Sequence, residues 1–156
     1  MGSPLLFCFY YILSINRYKM NIIQLQEVIG NYAMTLTNVN SFTLGDIYTN
    51  LNSKEIHYAN VNLAIESIEE YEEHQVYNAI IYYGDRLVEG GNNKYQVQTE
   101  AVRLLKDIVK HLRGINNVDV EKDVTYNLFE QDFNDYLAGA YCRVRIEDAT
   151  ELCPDE

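Results

Sequence analysis

The chain has no tryptophan, two prolines and three cysteines in 156 residues, and its 12 lysines and arginines are outnumbered by 23 acids. Each shortage excludes something. Scattered cysteines of odd count, none in a C-x-x-C pair, give no disulfide framework, and they fit synthesis in a reducing, intracellular setting. A net charge of −11 argues against a protein that grips nucleic acid through a basic stripe. The apolar run Pro4 to Ile15 is too short for a bilayer-spanning helix, which needs roughly 20 apolar residues. As a secretion signal it also fails: no positive charge precedes it, Arg17 and Lys19 follow it, and no small-x-small cleavage site appears.

What is present is an ordinary globular balance, 47% hydrophobic and 22% charged, in a length that suits one domain. Fourteen tyrosines supply amphipathic rings that suit strands and protein–protein surfaces. Met20-Asn21-Ile22 opens an amphipathic segment, so the native start is expected at Met20, with residues 1–19 an upstream extension and 20–156 the single domain. Setting aside Arg17 and Lys19, two positive charges with no acid beside them, takes the net charge from −11 to −13.

From Asn21, a good N-cap, apolar residues recur at helical spacing and predict a helix over about Ile22 to Met34, with Gly30 inside it as a mild cost or a close-packing contact. Phe42 to Tyr48 reads as a short extended or turn-like connection. His57 to Ile65 alternates as a half-buried strand, and Val76 to Leu87 is β-branched, aromatic or small until Gly84, as a strand buried on both faces requires. After the turn chemistry of Gly90-Gly91-Asn92-Asn93, Lys94 to Gln98 reads as extended. Thr99 then caps a second helix that ends at Gly114 with His111 and Arg113 in its last turn. Ile115 to Asp123 reads as a polar link, Val124 to Phe133 as a strand, Leu137-Ala138-Gly139 as a turn or bulge, and Ala140 to Ile146 as a final half-exposed strand. The order α-β-β-α-β-β predicts an α+β, two-layer domain: a four-stranded antiparallel sheet of two hairpins, covered on one side by two helices.

Candidate chemistry is thin. Glu66, Glu69, Glu70, Glu72 and Glu73 with His74 offer oxygen and nitrogen donors, but without the spacing that bends a loop around a hard cation, so they read as a solvated hairpin tip. Asp46, Asp85 and Glu100 can be imagined as a carboxylate trio of a two-metal nuclease, yet nothing in the sequence brings them together. Asp85-Arg86 reads instead as an ion pair or a hydrogen-bonding device at a strand end. Cys142 falls on the apolar face of its strand and reads as core, while Cys8 and Cys153 sit in the extension and the tail. Gly90-Gly91 lacks the Lys-Ser/Thr of a phosphate loop, and His57, His74 and His111 have no ligand spacing. No catalytic, cofactor-binding or metal-ligating residue is assigned.

Two groups of residues carry a resemblance. One is Ile80-Ile81-Tyr82-Tyr83-Gly84-Asp85-Arg86-Leu87, the Gly/Asn turn, Tyr95 to Ala101 and Leu104 to Ile108. The other is Phe129, Phe133, Leu137 to Val144 and Leu152-Cys153-Pro154. Over Met20 to the C-terminus the chain resembles small structural proteins of tailed phages, crAss-like and related Bacteroidetes phages, similar to tail terminators and neck (head-to-tail connector) rings. The resemblance implies a two-layer α+β subunit of a six- or twelve-fold homo-oligomeric ring in the virion neck or tail, made in the host cytoplasm. Such a ring contacts portal, neck and tail proteins, and genome DNA passes through it without specific binding. It implies no covalent chemistry, no cofactor and no membrane. A strongly acidic subunit suits a DNA conduit, because like charge keeps phosphates from sticking, and the acidic run Glu66 to Glu73 is the natural loop to face the channel or a neighbour. The acidity leaves a second reading open, a soluble adaptor or inhibitor that binds another protein by mimicking nucleic-acid charge, and a distant third, a metal-dependent nuclease.

Overall fold

The computed structural model describes residues 20–51, 57–132 and 136–149; the extension 1–19, Phe133 and the tail with Cys153 lie outside them. In chain order the elements are helix α1 (Ile22–Ala33), strand β1 (Ser41–Leu44), a one-turn helix α2 (Ile47–Leu51), β2 (Asn60–Glu70), β3 (His74–Arg86), the long helix α3 (Lys94–Arg113), β4 (Val118–Val120), β5 (Tyr126–Asp132) and β6 (Tyr136–Ala149). The class is α+β, as expected, but the sheet is corrected: it has six strands and is mixed. The four expected strands are there as two antiparallel hairpins, β2–β3 and β5–β6, joined side by side through β3 and β6. Beyond them, β1 adds to β2 in parallel and β4 adds to the far end of β6.

The first helix forms where the periodicity puts it, closed by a reciprocal capping box between Asn21 and Gln24. Just before it, Met20 is clamped by both its backbone groups. Its N–H donates to the buried Asp148 carboxylate (2.5 Å), and its carbonyl accepts from the Tyr77 hydroxyl (2.6 Å). Gly30 is a close-packing glycine, since a Cβ there would come within 2.7 Å of the Phe42 ring.

α3 starts at Lys94, five residues before the predicted cap. Thr99 is inside the helix, its hydroxyl donating back to the Tyr95 carbonyl (2.7 Å), the mid-helix bond that a β-hydroxyl can make as readily as a cap. At the other end Lys110, His111 and Arg113 precede the Gly114 cap, as the dipole favours.

Both long helices lie on one face of the sheet, where Leu25 and Ile29 of α1 and Leu104, Leu105, Ile108 and Leu112 of α3 meet Val61, Leu63, Tyr77, Ala79, Ile81, Tyr83, Cys142, Val144 and Ile146. Each fully buried aliphatic side chain there contributes about 1.5–3 kcal/mol. α2 lies on the other face, where Ile47 packs with Leu137, Tyr58 and Tyr82.

Leu137-Ala138-Gly139 is continuous strand and not a turn, paired residue for residue with Arg86, Asp85 and Gly84. Gly139 is required there because a Cβ would lie 1.8 Å from the Tyr83 carbonyl oxygen. The Phe129 ring of β5 fills the space over the facing pair Gly84 and Gly139, which is how an aromatic neighbour offsets the packing lost to glycine in a strand.

Candidate functional site

Two places gather the polar candidates. One is a cleft of about 810 Å³ where the end of β3 meets the α1–β1 loop and the first turns of α3, lined among others by Asn38, Tyr83, Asp85, Asn93 and Glu100. Two members of the imagined carboxylate trio therefore do share a cleft. They are differently committed. Glu100 accepts two hydrogen bonds from Arg103 (2.6 and 2.9 Å) and one from Asn38 (2.7 Å), and the Arg103 bond holds its carboxyl below the usual range. Asp85 accepts a local bond from the Arg86 N–H (2.8 Å), and burial pushes its carboxyl up. Asp46 is elsewhere, at the start of α2, taking the Thr49 N–H (3.3 Å). Arg86 places its guanidinium 4.8 Å from the Tyr58 ring centroid, and Asp85 takes both the Arg86 N–H and the influence of the Arg86 charge at this strand end. Among the described residues no three His, Cys, Asp or Glu side chains are close enough together to hold a metal ion.

The second place is the sheet face away from the long helices. The acidic run was expected to form a hairpin tip, but the strands continue through most of it, and only Tyr71, Glu72 and Glu73 turn the chain. β2 bulges between Ile65 and Ser67, with Glu66 the extra residue. A bulge shifts the alternation of side chains by one. Before it Val61 and Leu63 face the helices; after it Ser67 and Glu69 share the open face with Asn78 and Val76, their partners on β3. That phase shift lets Glu69 reach Arg145 on β6 (2.6 Å), which also approaches Glu147 (3.7 Å), while Glu66 lies 3.8 Å from Arg143. The rest of the face is aromatic: Tyr82 packs on Tyr141 (5.1 Å between centroids) and edge-on to Phe129 (6.4 Å), with Arg143 5.9 Å from the Tyr141 ring. The arginines that pair with part of the acidic run were visible in the alternation Tyr141, Arg143, Arg145; their pairing with Glu66 and Glu69 across β3 was not.

At the β1 side of this region a polar lock is buried. Asn60 and Asn62 are almost wholly inaccessible. Asn62 accepts from Thr43 (2.7 Å) and Asn50 (2.7 Å) and donates to the Gly45 carbonyl (2.9 Å), and Asn60 donates to the Ser41 hydroxyl (2.9 Å). Every buried side-chain donor and acceptor among the described residues has a partner.

The remaining candidates are dispersed through the fold. Cys142 is fully buried, and desolvation pushes its thiol up to about 12, which keeps it unreactive at neutral pH. His111 stacks on Tyr32 (3.9 Å between centroids) and His74 on Tyr71 (4.7 Å), and His57 is exposed. Gly90 and Gly91 take positive φ in the turn before α3, as their turn chemistry predicted. No helix among the described residues is long and apolar enough to cross a membrane. No protein-family model matches the chain, and no curated protein matches it either.

Proposed function

We propose that this chain is the subunit of an oligomeric ring in the neck or tail of a tailed phage, a tail terminator or head-to-tail connector, built around the channel through which DNA passes. The observation that carries the reading is the open face of the sheet. Its polar and aromatic groups are spread in rows across β2, β3 and β6 and are spent on one another as ion pairs and ring contacts; they do not converge on a point where a substrate atom could be attacked. Extended surfaces of this kind, rich in Tyr and Arg, suit contact with other proteins. The net charge of −11 fits a conduit that must not retain DNA, and a layer of helices on one side of a sheet fits the resemblance to those ring proteins. The experiment is imaging of purified particles with this chain labelled. A ring at the junction of portal and tail supports the reading, and particles without the chain at that junction overturn it.

A further inference from the structure

Charge is segregated along this molecule. The segment Glu66 to Glu73 carries five acids and no base, whereas α3 carries five of the chain's 12 bases, Lys94, Arg103, Lys106, Lys110 and Arg113, against two acids. Both regions also show apolar surface to water. At the hairpin, Tyr71 is 46% and Ile68 39% exposed; Tyr95 in the first turn of α3 is 74% and Leu128 on the adjoining β5 56% exposed. The latter two line a groove of about 510 Å³ between α3 and β5, with Val102, Arg103 and Lys106 along its wall. Lys106 leans toward the Tyr126 ring, 5.7 Å from its centroid. An apolar floor with Lys106 at its rim, beside an Arg103 already paired with Glu100 and Asp107, fits an occupant that is aromatic or aliphatic at its centre and acidic at its edge.

The β2–β3 tip has that chemistry and cannot reach the groove of its own chain. β3 at His74 is paired with Ala149 of β6, whereas Leu128 of the groove is paired with Ala140. Nine residues of β6 separate those points, roughly 30 Å along a strand. We propose that the tip of one copy, Ile68, Tyr71, Glu72 and Glu73, seats in the α3–β5 groove of a second copy. The patches differ, so the contact is heterologous and copies join head to tail, which closes a ring where the rotation permits. This rests on the ring reading and supplies its subunit contact. A second copy is the occupant favoured over the run 4–15 of the same chain, because that run carries no charge to meet Lys106.

The test uses the full chain and charge exchange at two exposed positions, Glu72→Lys and Lys106→Glu, with association read by light scattering and analytical ultracentrifugation and folding by circular dichroism. Association of the parent chain is expected to rise with concentration, to weaken at least tenfold in either single variant, since like charges then face each other, and to recover when both exchanges are made in one chain. Tyr71→Ala is expected to weaken it as well. If the parent chain associates but ignores all of these changes, the tip-in-groove contact is overturned while a ring held otherwise survives. If association ignores the charges but the groove opens when residues 1–19 are removed, the occupant is the chain's own terminus and the proposal is overturned. A chain that stays monomeric up to concentrations on the order of 1 mM also overturns it, whatever particle imaging shows.

Discussion

Along β3, neighbouring residues enter different environments. Tyr77, Ala79, Ile81 and Tyr83 point into the layer formed by α1 and α3, where the partners are leucines, isoleucines, valines and alanines. Val76, Asn78, Ile80 and Tyr82 point to the other side, among Glu69, Arg145, Arg143 and Tyr141, and among the described residues Phe129, Tyr58 and the short α2 pack near one end. Val76 and Ile80 are nevertheless buried; long side chains such as arginine and glutamate can cover apolar surface with their stems while their charged ends stay wet. Cohesion on the helical side comes from apolar volume removed from water. On the other side it comes from paired polar groups whose net contribution is small but whose positions are well defined. Charged and aromatic side chains on the second face, such as Arg143, Arg145, Glu69 and Tyr141, are partly or wholly exposed, whereas the apolar layer on the first is buried.

The largest effects are expected where the two faces share a backbone. Gly139→Ala forces a methyl group onto the Tyr83 carbonyl and so separates β3 from β6, the pair on which both faces depend. A loss of about 4 kcal/mol or more is expected, in the range where backbone strain abolishes folding, read as failure to show a cooperative transition in urea. Next is the helical side: Leu105→Ala, at a fully buried position, is expected to cost about 2–5 kcal/mol by lost transfer energy and residual cavity, with a matching drop in the urea midpoint. A cost below about 1 kcal/mol would show that the helix layer is not the stabilising one.

Between the faces in expected effect stands the asparagine lock. Asn62→Ala removes the acceptor of Thr43 and Asn50 and the donor to Gly45 in a site that water does not reach. A cost of about 1–3 kcal/mol follows from leaving such groups unpaired. Hydrogen exchange should localise it to β1, which is held by this lock as well as by its parallel pairing. The lock is also the clearest case of what the sequence conceals. Ser41-x-Thr43 and Asn60-x-Asn62 repeat with the period of a strand, but four residues with one or two apolar side chains give too short a signal, and their partners lie 17 to 19 positions away. β4, three residues long, is invisible for the same reason. Gly139 misleads in the opposite direction: glycine usually marks a turn or bulge, and only the approach of the Tyr83 backbone explains one in mid-strand. By contrast α1, the β2–β3 and β5–β6 hairpins and the C-terminal end of α3 were legible, because periodicity and capping chemistry act within a few residues. The same locality explains the open face. Its residues could be placed by alternation, but the bulge at Glu66 that turns Glu69 toward Arg145 depends on the register with β3.

The smallest effect on stability is expected on the open face itself. Glu69 and Arg145 are roughly 40% exposed at the side chain, so Glu69→Gln should change stability by no more than about 1 kcal/mol, the usual worth of a surface pair. Whatever change it makes should shrink further in 1 M salt, where the screening length falls to about 3 Å. The substitution is nonetheless informative about function. With Glu69 neutral, the carboxylate nearest Arg145 becomes that of Glu147, at the longer distance of 3.7 Å, so the charge pattern of the face changes while the sheet beneath does not. An unchanged urea midpoint together with altered assembly of the chain would separate the two faces as scaffold and contact surface. A loss of several kcal/mol from this one neutralisation would mean instead that the ion-paired face carries the fold as the leucine layer does, and the distinction between them would not stand.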